Sequence, residues 1–193
     1  MITYPKIWFL RHGQTEWNKA YRLQGQLDSP LTQLGIVQAH RQAQIMPEIL
    51  ALGPDIHVSP LGRARQTADI ALGGAAYRSD PRLMEIDAGK WQGMLRADIL
   101  AIRPQWAQAD PSALEIYEAA EGGEGVSAFR ARIRSFLEDL TGPSVIVAHG
   151  LLGQVLRAHI CGVGPALAGR LSNAQGVVYE LENGMEQVLE APE

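Results

Sequence analysis

The sequence predicts an α/β protein: a three-layer α/β/α sandwich whose central sheet is mostly parallel. Three observations point there. Short apolar runs alternate with longer segments of helical period, the pattern of strands joined by covering helices. One run, Val145-Ile146-Val147-Ala148, is apolar without alternation, as a strand covered on both faces must be. The 193 residues hold no internal repeat, low-complexity tract or long Gly/Ser linker, and so fit a single domain over residues 1–193, with an insertion or lid around 86–122.

The elements follow in order. Lys6–Leu10 is apolar and aromatic-rich, suited to a buried strand, and it breaks at Arg11-His12-Gly13. Gln24–Pro30 is rich in turn formers. Thr32 then caps a helix expected to run to about Leu52, with Leu34, Ile45 and Ile49 facing inward and Gly53-Pro54 closing it. Asp55–Val58 reads as a second strand. Ser59-Pro60 places serine at N-cap and proline at N1, where its missing N–H is not needed, and predicts a helix to about Leu72. Arg82–Gly122 is the least regular part, with a short helix expected near Arg96–Ile102. Over Glu124–Leu140, Val126, Phe129, Ile133, Phe136, Leu137 and Leu140 form one apolar stripe at helical spacing, stopped by Gly142-Pro143. The Val145–Ala148 strand ends at His149-Gly150, and a helix to about Cys161 follows. Gly176–Leu181 and Met185–Leu189 read as two late strands joined at Asn183-Gly184, a hairpin-type turn.

Composition narrows the function classes. Hydrophobic residues make up 46% and charged residues 20%, ordinary for a globular chain. The net charge is −4 and no run of lysine or arginine stands out, so neither a nucleic-acid nor a membrane-surface partner is expected. A single cysteine, Cys161, allows no internal disulfide and suits a reducing compartment, where it reads as a small core residue. The first apolar run, Ile7–Leu10, is four residues long, far short of a signal peptide or membrane span. A cytoplasmic location is the expectation.

The chemistry-bearing pattern is two histidines at two strand ends. His12 and His149 each follow a short apolar strand, and each is followed by glycine. Ligands of open α/β sheets bind beyond the carboxyl ends of strands, so the two rings share one crevice if their strands are neighbours. Gly13 and Gly150 let backbone N–H groups approach an anion, with a helix N-terminus adding donors after His149. Arg11 stands beside His12, and Arg63 lies early in the helix after the second strand. Two guanidinium forks, two imidazoles and oriented amides suit a tetrahedral dianion. A neutral imidazole is an in-line nucleophile for phosphorus, and Arg11, Arg63 and His149 would hold the equatorial oxygens. Glu85, in Leu83-Met84-Glu85-Ile86-Asp87, is the candidate proton donor to the leaving alkoxide, given a raised pKa. His40, His57 and His159 lack metal-ligand spacing and read as structural, so no metal and no other cofactor is expected. Arg65 reads as a helix-surface residue or a side chain supporting the site residues, and Trp91 and Trp106 as packing.

These blocks resemble those of a known family. Arg11-His12-Gly13-Gln14-Thr15-Glu16-Trp17-Asn18 is similar to the signature of the histidine phosphatase superfamily, also called phosphoglycerate mutase-like. Ser59-Pro60-Leu61-Gly62-Arg63-Ala64-Arg65-Gln66-Thr67-Ala68, then Leu83-Met84-Glu85 with Gly89-Lys90-Trp91-Gln92-Gly93, then Val145-Ile146-Val147-Ala148-His149-Gly150 resemble its later blocks, in the family's order and over nearly the whole chain. The resemblance implies His12 as the phosphorylated nucleophile and Arg11, Arg63 and His149 as the phosphate pocket. It implies Glu85 as proton donor, Asn18, Gln24 and Gly25 lining the site, an amide from Gly150, and no metal. Gly123-Glu124-Gly125 departs from it, since relatives usually carry serine third, and a weaker helix cap is expected.

The branch follows from charge and motif form. The mutase branch carries extra bases in the insertion for a second phosphate. Here Ile102–Gly122 has only Arg103, against Asp110, Glu115, Glu118 and Glu121. Gly89–Gly93 also looks more like the phosphatase branch. The expected activity is metal-independent hydrolysis of a small phosphorylated metabolite through phosphohistidine. A phosphoglycerate mutase and a catalytically inactive phospho-ligand-binding protein are the alternatives. Oligomeric state is open, a homodimer included.

Overall fold

A computed structural model describes residues 4–106, 109 and 111–192. Asp110, counted among the insertion's acids, lies outside them.

Six strands form one mixed sheet: β1 (Ile7–Arg11), β2 (Asp55–Val58), β3 (Arg78–Ser79), β4 (Ser144–Ala148), β5 (Val178–Glu182) and β6 (Met185–Leu189), in the order β3-β2-β4-β1-β5-β6. The pairs β3–β2, β2–β4 and β4–β1 are parallel. β5 and β6 add on antiparallel. Both central strands are buried on two faces, which explains their unbroken apolar runs. Trp8, Leu10, Val145 and Val147 point into one core with Met46, Ile49, Ala64 and Ala68 of helices α2 (Gln33–Leu50) and α3 (Gly62–Ala71). Ile7, Phe9, Ile146 and Ala148 point into the other, with Phe129, Ile133 and Phe136 of α6 (Val126–Glu138) and Leu152 and Val155 of α7 (Gly150–Ile160). The expected three-layer sandwich is therefore present. Smaller helices complete it: α1 (Glu16–Lys19), α4 (Arg96–Ala101), α5 (Ala113–Glu118) and α8 (Pro165–Ala168).

Local signals held in most places. Thr32 caps α2 by accepting from Gly35 N–H, and the late hairpin turns at Asn183-Gly184, both at positive φ. Gly125 gives α6 no side-chain cap, as expected, and the Glu118 carboxylate takes the Val126 N–H instead, at 2.5 Å. Cys161 is partly buried against the α6–α7 core.

Two expectations need correction. Leu34 is 47% exposed, because α2 buries the stripe Gly35, Ala39, Gln42, Met46 and Ile49. Glycine at 35 lets the helix lie flush on the backbone of Gly13 and Gln14, which turns Leu34 outward. Ser59-Pro60 also does not start a helix. α3 begins at Gly62, and its first N–H groups are capped from a distance by Asp28, whose carboxylate accepts from Gly62 N (2.5 Å) and Arg63 N (3.3 Å).

α7 packs on β1 at Gly153, against the Phe9 ring. A Cβ there would fall inside the ring's van der Waals envelope. Gly153→Ala is expected to destabilise the fold by about 1–3 kcal/mol, despite alanine's better helix propensity. Urea unfolding of the two proteins checks this.

Candidate active site

Register places the two histidines together. β1 and β4 are parallel neighbours with Arg11 opposite Ala148, and the His12 N–H donates to the Ala148 carbonyl at 3.0 Å. The chain leaves both strands at the same end of the sheet. The rings of His12 and His149 lie 5.2 Å apart, centroid to centroid, inclined at 60°. They are 3% and 0% exposed.

The surroundings define the His12 tautomer. Nδ1 is 2.7 Å from the Gly13 carbonyl, which can only accept. The proton therefore sits on Nδ1, and Nε2 presents its lone pair. Arg63 Nε–H donates to that lone pair at 3.3 Å. Burial holds the ring's pKa well below the usual histidine value, and the charges of Arg63 and Arg11 push the same way. His12 is thus a neutral, oriented imidazole. His149 is also held neutral, chiefly by burial and then by Arg63. Its Nε2 lies 2.7 Å from Ser59 Oγ, and its Nδ1 is buried without a hydrogen-bond partner among the described residues.

Arg63, 2% exposed, is anchored from behind. Nη1 donates to the Leu27 carbonyl (2.7 Å) and Asp28 Oδ1 (2.9 Å), and Nη2 donates to the Gly25 carbonyl (2.7 Å). With Nε on His12, one Nη2–H remains for an incoming acceptor. Arg11 donates from Nη1 to the Asn173 carbonyl, while its buried Nε has no partner among the described residues. Burial lowers its pKa to about 10, aided by Arg63 and opposed by Glu85, so it stays cationic at neutral pH. Gly150 opens α7 beside this guanidinium. A Cβ there would press on the Asn173 side-chain amide and approach Arg11 Nε, so glycine leaves both side chains where they are.

Glu85 is 7% exposed. Its Oε2 accepts from Leu151 N (2.9 Å), and its Oε1 from Leu152 N (3.0 Å) and Ile86 N (3.1 Å). The carboxyl thereby meets the N-terminus of α7, next to His149. Burial raises its pKa, while the amides of Leu151 and Ile86 and the charge of Arg63 work against that rise. Oε2 has one partner against two on Oε1, so Oε2 is the better place for a proton. The segment's backbone is held by Arg132, which bonds the carbonyls of Arg82 (2.6 Å) and Glu85 (3.0 Å) and pairs with Glu124.

The remaining sequence candidates are placed unevenly. Gly25 serves through its carbonyl on Arg63. Gln24 is 5% exposed, and its Oε1 has no partner among the described residues. Asn18 Oδ1 closes the capping box of α1 on Thr15 N–H (3.2 Å) and receives Gln175 Nε2 at 3.5 Å. Sequence reasoning missed Asp28, Ser59, Arg132, Asn173 and Gln175, the last donating to the His12 carbonyl at 2.9 Å. The outlying histidines pack elsewhere: His57 on Phe136, His159 on the Tyr4 hydroxyl, and His40 in solvent. Among the described residues, no group of three or more His, Cys, Asp or Glu could hold a metal ion. None of the described helices is long and apolar enough to cross a membrane.

Fold and geometry together define a class: an α/β protein in which two buried imidazoles and two guanidinium groups gather where its two central strands end. Within that class, the chain belongs to the histidine phosphatase superfamily (branch 1), whose family description matches residues 7–191. It is 35% identical over 172 residues to the "Probable phosphoglycerate mutase GpmB" of Yersinia pestis (strain Pestoides F), covering 86% of this chain and 78% of that protein. Among solved structures it is similar to a mycobacterial glucosyl-3-phosphoglycerate phosphatase in complex with VO3, with a TM-score of 0.78 and 30% identity over 97% of this chain and all of that one. It is also similar to the protein TTHB049 of Thermus thermophilus, with a TM-score of 0.74 and 30% identity over 97% and 99% of the two chains.

Proposed function

We propose that this chain is a metal-independent phosphatase that hydrolyses a small phosphomonoester in the cytoplasm through a phosphohistidine at His12. The observation that carries the reading is the His12 ring: neutral, with its Nδ1–H tied to Gly13 and its Nε2 lone pair facing the guanidinium of Arg63. Substrate phosphate displaces the Arg63 contact from Nε2 and takes that donor, the spare Nη2–H, Arg11 Nε–H and the Gly150 amide as its own partners. Nε2 then attacks phosphorus, the bond to the ester oxygen breaks, and protonated Glu85 gives its proton to the departing alkoxide. Water attacks the phosphohistidine, Glu85 takes its proton, and the N–P bond breaks to release inorganic phosphate and neutral His12.

The mutase alternative is favoured by the name of the Yersinia relative. It needs positive charge for a second phosphate in the insertion. Arg103, the one base in Ile102–Gly122, is instead held against the faces of Trp91 (5.6 Å) and Trp106 (5.5 Å). The mycobacterial phosphatase supports hydrolysis. The test is a panel of phosphomonoesters with excess chelator. Inorganic phosphate should be released undiminished. Isomerisation of phosphoglycerate dependent on a bisphosphorylated primer, or turnover lost with chelator, would overturn the reading.

The two pKa shifts set the pH profile. His12 must be neutral and stays so below the usual histidine pKa, whereas Glu85 must be protonated and stays so above the usual carboxylate pKa. kcat/KM should therefore be bell-shaped, rising with pH through the lowered His12 pKa and falling as pH rises through the raised Glu85 pKa. Glu85→Gln should remove that falling limb. In kcat/KM, which ends at phosphohistidine formation, it should slow alkyl phosphates about 100-fold, but p-nitrophenyl phosphate far less, because its leaving group needs no proton. Steady-state rates on both substrates from acid to alkaline pH provide the check.

A further inference from the structure

Ser59 is used in an unexpected way. It stands where a cap for α3 is expected, yet Asp28 performs the capping. Fully buried, its hydroxyl lies 2.7 Å from Nε2 of His149, a ring with no exposure of its own. We propose that Ser59 is a positioning residue: its O–H donates to Nε2 and fixes His149 as the Nδ1–H tautomer, so the second histidine offers a hydrogen rather than a lone pair to the phosphoryl oxygens. This rests on the phosphatase reading above.

Counting donors decides between the two ways of sharing the proton. A hydroxyl has one hydrogen and two acceptor positions, and Leu61 N–H takes one of the latter at 3.4 Å. If Nε2–H donated to Ser59, the serine hydrogen would need another acceptor, and none is found among the described residues. The Nδ1 lone pair would then also face the lone pairs of a bound oxyanion. If Ser59 donates to Nε2, its hydrogen is used and the ring proton sits on Nδ1. That is the buried atom left without a partner among the described residues, on a ring packed against His12 and in the field of Arg63 and Arg11. An anionic oxygen completes this second arrangement and is repelled by the first. The site then mirrors itself: each imidazole carries its proton on Nδ1, His12 to free its nucleophilic nitrogen and His149 to donate.

The test is a long-range proton–nitrogen NMR spectrum of protein labelled with 15N-histidine, free and with orthovanadate bound. The expected result is a protonated Nδ1 and a bare Nε2 on His149 in both states. Ser59→Ala should shift the ring toward Nε2–H, weaken orthovanadate at least tenfold, and lower kcat more than it raises KM. Ser59→Thr, which keeps the hydroxyl, should restore the tautomer. Protonated Nε2 in the wild type, or an unchanged tautomer in Ser59→Ala, overturns the inference. The wild-type spectrum decides even if the alanine variant does not fold. Failure of the wild type to form phosphohistidine defeats the phosphatase reading instead, a result separable from the ring assignment.

Discussion

Replacing His12 by alanine is expected to lower phosphate release by on the order of 10⁴-fold or more and to abolish acid-labile phosphate on the protein. No other group described at the site can take its place. His149 is aimed through Nε2 at Ser59, and Glu85 is tied to three amides. Folding should survive, because the ring's one strong bond is to the adjacent carbonyl of Gly13. Thermal unfolding close to the wild type would confirm that chemistry alone was lost. Added imidazole, entering the space the ring leaves, should recover part of the turnover as a free nucleophile. A variant that hydrolyses esters at the wild-type rate would defeat the covalent route.

Arg63 should be nearly as sensitive. Arg63→Met is expected to lower kcat roughly 10³-fold with a smaller change in KM, since its contacts to the equatorial oxygens strengthen as the phosphoryl group flattens. Arg63→Lys should recover little, because an ammonium cannot span Gly25, Leu27, Asp28 and the anion together. A second effect has a definite sign. The Arg63 charge helps hold the His12 pKa down. Removing it lets that pKa climb toward the ordinary value, so the acid limb of kcat/KM should move to higher pH. Unchanged pH dependence in Arg63→Met, with activity lost, would reduce the residue to a structural tie.

The legible part of the site was the part written by local geometry. β1 and β4 announce themselves because a strand covered on both faces cannot alternate, and His12 and His149 follow directly from where those strands stop. Arg11 and Arg63 needed only proximity to strand ends, whereas Glu85 leaned on the family pattern. What escaped was set by distance in the chain. Asp28 caps a helix that starts 34 residues later. Asn173 and Gln175 return to the first strand's loop from more than 160 residues away. Arg132 looks like one more charge on a helix surface until its bonds to residues 82 and 85 are seen. Ser59 misled for a related reason: its local sequence is a good cap, and a tertiary partner outcompeted it. Leu34 failed because periodicity shows that a helix has a face, but not how closely a glycine lets it approach its neighbour.

The spacing of the two imidazoles follows from their mounting. They stand one residue beyond the ends of adjacent, hydrogen-bonded strands, and such strands lie about 4.8 Å apart in any sheet. The distance between the rings is therefore a ruler cut by the peptide backbone, and side-chain substitution cannot easily rescale it. A descendant of this chain that adopts a different ester must find its new discrimination in the outer segments, while the gap that grips phosphorus passes on unaltered.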